Sequence, residues 1–448
     1  MVDCRHKMAN RHASLAYALS LSLILIVSYG GLAQNKERPK LKDFGSSLKR
    51  IKWDPEKKAA VEVSLKRDSK NTTDELEVVK VETSLVSNDL LVLDAKGNFV
   101  PGLTEKDFVI SEDGQPQQVG MFSRGDVIKT PRSIVLIIDS GCSQLPFIKA
   151  SVAAAQLMID KLAPADRMAI VTDDIELLSG FTNNKKKLKE SLDQLVWWTA
   201  THRIVRNGAP FGRGFQYSAL MAVLKEAFDA EDERPIIIFQ TDGSEARILR
   251  NPIFSNAISP DLPPDLRTQA EAQLAIFQNH MKRNPRDFSL DDVYKAAEQS
   301  RATIYTVVPG LRFIGLKAEE QPAQMRAYVE REIAGFDLGT ARKMWRDYID
   351  RAGDKALRYD ANDFAKQQSA LAVLSTISGG WIEFFDQPSQ ADEIYSRILS
   401  DINRRYIVGY YSTNKAHDGK RRKVNITVRD HPEYMVMGHR AYYALGPN

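Results

Sequence analysis

Cysteine is almost missing from this chain: only Cys4 and Cys142 occur in 448 residues, so no disulfide framework supports the fold and stability has to come from packing. Charge of one sign is missing as well. The formal net charge is +4, and the short basic runs Lys185-Lys186-Lys187 and Lys420-Arg421-Arg422-Lys423 read as solvated surface, so nothing points to nucleic acid as a partner. After the first 33 residues no apolar run approaches the roughly 18 residues of a membrane-spanning helix. A P-loop, a nucleophile elbow and a Gly-rich dinucleotide turn are absent, and His202, His280, His417, His431 and His439 share no ligand spacing. No catalytic residue is assigned, and the chain is expected not to be an enzyme.

What is present suits a folded, exported protein. Apolar residues at 43% and charged residues at 27% match a soluble protein with one or two cores, and the length calls for two or three domains. Arg5, Lys7 and Arg11 precede an apolar stretch from Leu15 to Val27 that ends in Gly30-Gly31-Leu32-Ala33. This is the pattern of a signal peptide over 1–33, with Gly31 and Ala33 placed for cleavage before Gln34. An uncleaved amino-terminal anchor is the alternative. Either way the remainder is expected to be secreted or periplasmic, with no transmembrane helix after cleavage. Cleavage would leave Cys142 as a lone thiol, for which burial is the commoner fate and pairing or reactivity the alternative.

Residues 34–76 read as a polar linker. From 77 to 128 strand-like runs such as Leu90-Leu91-Val92-Leu93 and Phe108-Val109-Ile110 alternate with the turn signals Lys96-Gly97-Asn98 and Asp113-Gly114. Between 130 and 386 strands alternate with helices. The strands are Ser133 to Ile138, ending at Asp139; Met168 to Thr172; Pro235 to Phe239, ending at Thr241-Asp242-Gly243; Thr303 to Val308; and Gly380 to Phe384. That alternation predicts an α/β fold built on a doubly wound parallel sheet. Segments at about 248–292 and 310–360 exceed ordinary connections and read as largely helical insertions. Residues 390–448 return to β, with Tyr406 to Tyr411 and the alternating Arg422 to Val428 around the turn Asp418-Gly419.

Ile137-Ile138-Asp139 followed by Ser143, the later Thr241-Asp242-Gly243, and Tyr305 on a late strand resemble the von Willebrand factor A domain. The phrase from Asp94 to Phe108, continuing to Glu112-Asp113-Gly114 and Phe122, resembles the opening of the von Willebrand factor A-related proteins abundant in Acidobacteria. Arg405 to Tyr410, Asp418-Gly419-Lys420 and Arg440 to Ala444 resemble their endings. The resemblance covers roughly residues 78–448 apart from the insertions, and three separated blocks in one order carry it. It implies a Rossmann-like A domain flanked by β segments from both sides of the chain, expected to pack as one small β-sandwich-like module.

Many such domains hold Mg2+ or Mn2+ through an Asp-x-Ser-x-Ser motif, a Thr from a second loop and an Asp from a third, leaving a position for a partner's carboxylate. Here Asp139, Ser143 and Asp242 match three of these positions, whereas Gly141 and Gly214 stand where two hydroxyls belong. The resemblance therefore implies a degenerate metal site, in which a vacant pair of Asp139 and Asp242 would need compensation from Arg213, Lys149 or Arg247. The loops carrying Asp139, Cys142, Arg213, Gly214 and Asp242 are the expected contact surface for a protein or a cell-surface polymer in an adhesion role. A metal-independent scaffold with a silent site is the alternative. A thiol enzyme or hydrolase using Cys142 with Asp242 is the third possibility.

Overall fold

The computed structural model describes residues 51–54, 59–62, 85–124, 131–205, 215–228, 234–250, 258–283, 287–335 and 339–446. The expected signal peptide, Arg213 and Gly214 lie outside the described residues. In the segment read as a linker, β1 (Ile51–Asp54) pairs antiparallel with β2 (Ala59–Glu62), a hairpin that the polar composition did not announce. The amino-terminal β segment supplies β3 (Leu85–Leu93), β4 (Phe108–Glu112), β5 (Gln115–Gln117) and β6 (Val119–Arg124).

The central domain runs through β7 (Arg132–Ile138), α1 (Ile148–Asp160), β8 (Arg167–Thr172), β9 (Leu177–Thr182), α2 (Lys185–Val205), α3 (Gln216–Glu226) and β10 (Arg234–Gln240). It continues through α4 (Pro264–Arg283), α5 (Leu290–Gln299), β11 (Thr303–Pro309), α6 (Gln321–Gly335), α7 (Gly339–Arg351), α8 (Asp354–Ile377), β12 (Ile382–Phe385) and α9 (Ala391–Asn403). In space the strands lie in the order β12-β11-β10-β7-β8-β9, all parallel except β9, which runs antiparallel to β8. The order reverses between β7 and β10, as in a doubly wound sheet. Every residue of β7, β10 and β11 is buried, which is why these segments read as near-continuous apolar runs instead of alternating ones.

Alternate side chains of each strand enter different cores. Val135, Ile137, Ile237 and Phe239 pack with Leu220, Val293 and Leu371 of α3, α5 and α8. Ile134, Leu136, Ile236 and Ile238 pack with Val152, Leu188 and Ile398 of α1, α2 and α9. The domain therefore extends past the expected boundary near 390, because α9 buries Ile394, Tyr395 and Ile402 against the sheet.

The two insertions share a third core, in which Leu262 and Leu266 meet Phe313, Met325, Val329, Ile349 and Leu357. In the second insertion the expected helical content is divided between α6 and α7. α8 starts at Asp354, inside the second insertion, and serves two cores: Ala356, Leu357 and Ala361 belong to the insertion core, and Ala370, Leu371 and Leu374 to the sheet core. One continuous helix thus fixes the insertions to the sheet.

After α9 come β13 (Tyr406–Tyr411), β14 (Arg421–Val428), β15 (Met435–Met437) and β16 (Ala441–Tyr443). They interleave with the amino-terminal strands in two four-stranded sheets, β15-β3-β13-β6 and β16-β14-β4-β5, around Leu90, Val92, Phe108, Ile110, Val408 and Val424. A doubly wound sheet with one antiparallel edge strand, together with a β module of strands from both sides of it in sequence, is thus the observed architecture.

Candidate binding face at the carboxyl end of the sheet

Asp139 follows β7, Asp173 follows β8 and Asp242 lies just past β10, so three carboxylates gather where the strand order reverses. Asp139 is 1% exposed. Its Oδ1 accepts the Gly141 N–H at 2.8 Å, and its Oδ2 accepts Gln216 Nε2 and the Thr241 hydroxyl, each at 3.1 Å. Asp173 is buried as well. Its Oδ1 accepts the Ser140 N–H at 2.9 Å and the Ser140 hydroxyl at 2.7 Å, while its Oδ2 has no partner among the described residues.

Burial pushes the Asp173 carboxyl up to about 7, with the neighbouring charge of Asp174 adding to it. Burial also holds Asp139 well above the usual carboxylate range, reinforced by Asp173 and then Asp242. Like charges this close cannot all ionise cheaply, so protons take up part of the load.

Asp242 is half-buried. Its Oδ2 accepts the Ser143 hydroxyl at 2.6 Å, its Oδ1 accepts the Ser244 N–H at 2.9 Å, and its carbonyl accepts Gln367 Nε2 at 2.6 Å. The structure therefore brings together the three residues that the resemblance implies for a metal. Cys142 sits in the short turn Cys142–Gln144, and its side chain lies outside the described residues. Lys149 is exposed on α1. Arg247 donates to Gln367 Oε1 at 3.1 Å and lies over the Phe364 ring at 5.1 Å; it therefore supports Asp242 through Gln367.

Four participants escaped sequence reasoning. Gln216, at the start of α3, donates to Asp139 and to the Ser244 hydroxyl at 3.0 Å, while its Oε1 accepts the Glu245 N–H at 3.0 Å. Asp173, Gln144 and Gln367 are the others. Asp173 alone carried a readable signal, an acid directly after an apolar strand.

This donor set does not fit Mg2+ or Mn2+ as it stands. A hard cation takes about six oxygens, yet both oxygens of Asp139 already accept hydrogen bonds, and amide N–H groups of Gly141, Gln144 and Gln216 share the carboxylates with the hydroxyls of Ser143 and Thr241. A side chain at Gly141 would bring a Cβ to 2.9 Å from Asp139 Oδ1, so a serine there would require the carboxylate to shift.

The insertions wall one side of the face. A narrow cleft is bounded by Ser143, Gln144 and Asp242 on the sheet side and by Phe313, Arg331 and Phe364 on the insertion side. Among the described residues no helix is long and apolar enough to cross a membrane.

The sequence matches no protein-family profile and no curated relative. Among solved structures the chain is similar to BatB from Bacteroides thetaiotaomicron, at 11% identity and a TM-score of 0.30, covering 60% of this chain and 98% of that one. It is also similar to the vWF domain of the type V pili tip protein Mfa5 from Porphyromonas gingivalis, at 14% identity and a TM-score of 0.30, covering 62% of this chain and 96% of that one.

Proposed function

We propose that this chain is an exported protein that binds another protein or a cell-surface polymer through the carboxyl-end face of its von Willebrand factor A-like domain, without enzymatic activity. The observation that carries the reading is convergence: strand-end loops and an insertion meet in one cleft at the place where open α/β sheets take ligands. An insertion that shapes such a face is how a common fold acquires its own partner. Export rests on the amino-terminal pattern of residues 1–33, and kinship with the Acidobacterial von Willebrand factor A-related proteins rests on the three sequence blocks. Binding is proposed to need no resident Mg2+ or Mn2+, because neutral donors and protons already answer the carboxylates.

A scaffold role through the β module is the second reading, favoured by Leu85, Tyr411 and Met435, which stand exposed on one of its sheets. A photo-crosslinking amino acid placed in the producing cell at Pro146, exposed in the β7–α1 loop, or at Tyr411, exposed on that sheet of the β module, separates the two. Adducts from position 146 and none from position 411 are expected. The opposite pattern would transfer the function to the β module.

A further inference from the structure

Arginine collects where the β module meets the end of α9. Arg404 caps the carboxyl end of α9, and Arg124 ends β6 opposite Tyr406 of β13. Cross-strand partners share a face of the sheet, so Arg124 stands on the same side as the Tyr406 ring. The loop after β3 supplies the facing wall. Phe99 stacks on Tyr406 with ring centroids 5.8 Å apart, and the Arg404 guanidinium lies over the Phe99 ring at 6.0 Å. Tyr406 fixes this loop by donating its hydroxyl to the Val100 carbonyl at 2.7 Å and accepting the Leu103 N–H at 3.2 Å.

A small pocket results, with three arginines and no carboxylate among its lining residues. Arg124, Arg404, Pro101 and Gly102 are exposed, so its rim is open to solvent, while Arg405 closes the back. The buried arginines of this joint each face an acid: Arg132 meets Asp166, Arg234 meets Asp89 and Arg405 meets Asp401. Arg404 instead has the Phe99 ring beneath it, which holds the side chain in place without neutralising it. Guanidinium groups gathered around one space raise the local potential, and an anion between them lowers it.

We propose that this pocket binds a single phosphate group between the exposed guanidinium groups of Arg124 and Arg404, with Arg405 adding positive potential from behind. Each guanidinium fork can present paired N–H donors to oxyanion oxygens. Two forks balance the two charges of a phosphate, whereas a carboxylate would leave one of them unmatched. The small size of the pocket suits one tetrahedral oxyanion, and its open rim admits either the free ion or a phosphomonoester at the end of a larger molecule. The site belongs to the β module and its joint, and it does not depend on binding at the carboxyl-end face.

The test is isothermal calorimetry of the full chain at about pH 8, where phosphate is a dianion, with ionic strength held fixed. Inorganic phosphate, glycerol 3-phosphate and acetate are the probes. Saturable binding of inorganic phosphate with a Kd on the order of 1 mM is expected, with acetate about tenfold weaker. Arg404→Gln and Arg124→Gln should each weaken phosphate about tenfold, Arg404→Lys should keep part of the affinity, and Arg326→Gln, on the insertion, should leave it intact. Thermal melting of each variant checks that it is folded. Glycerol 3-phosphate binding more tightly than the free ion assigns the site to a phosphomonoester, and the reverse order assigns it to the ion itself. Heats that never saturate in the millimolar range, acetate binding as well as phosphate, or phosphate binding undiminished in both Arg404→Gln and Arg124→Gln overturns the inference.

Discussion

The two ends of the central sheet treat buried charge in opposite ways. At the amino ends of the strands every buried arginine meets an acid. Arg132 pairs with Asp166, Nε to Oδ1 at 2.8 Å, and also reaches Asn403; Arg234 pairs with Asp89 at 3.0 Å and donates to the Ile402 carbonyl at 2.8 Å. Arg405 is 1% exposed and donates to the carbonyls of Gly379 at 2.7 Å and Asp89 at 3.0 Å, with Asp401 at 3.4 Å. At the carboxyl ends Asp139, Asp173 and Asp242 meet hydroxyls, amides and one another. The first arrangement locks the β module onto the A-like domain; the second leaves groups whose state depends on protons and ligands.

That contrast breaks most visibly at Arg405. Removing one member of a buried ionic network strands the rest, so Arg405→Ala should cost about 3–5 kcal/mol in urea unfolding. It should also expose the α9–β13 junction to protease. A cost no larger than that of an exposed arginine would show that the joint is not held by paired charge.

The next effect belongs to the opposite end. Asp173 titrates in the folded protein at about 7, against 3.8 for an ordinary aspartate. The folded form therefore keeps a proton that the unfolded chain has already lost, so stability falls as pH rises through that window and levels off above it. The slope is about 1.4 kcal/mol per pH unit for one group. Asp173→Asn should make the profile shallower without abolishing it, since burial raises Asp139 and Asp360 as well; urea midpoints at stepped pH will read the change.

Gln216→Ala follows, with a loss of about 1–3 kcal/mol, since it leaves Asp139 and the Glu245 N–H short of partners. Arg247→Ala should cost about 1 kcal/mol, because it removes the hydrogen bond that steadies Gln367 together with the stacking on Phe364.

Much of this fold was legible because physics writes it locally. A strand buried on both faces must be apolar throughout, and an acid at its end marks the loop, which is how Asp139 and Asp242 stood out. Asp173 obeys the same rule, but Asp173-Asp174 looks like any polar turn until β8 is placed beside β7. Gln216 could not be read at all: it meets Asp139 from 77 positions away, and nothing about a glutamine at a helix start announces that it will donate to a buried carboxylate. α9 was missed because its amphipathic residues adjoin a β segment and look continuous with it. The shared core of the insertions was equally hidden, since Leu262 and Leu266 meet Phe313 and Met325 only through folding.

The most direct test of the central contrast is the thermal midpoint of the full chain from about pH 5 to about pH 8, run in EDTA and in millimolar Mg2+, for the wild type and Asp242→Ala. A midpoint that falls as pH rises towards 7, with the same curve in both solutions, is the predicted result. A wild-type midpoint raised by Mg2+ at neutral pH, with no such rise in Asp242→Ala, would contradict it and return the face to a cation.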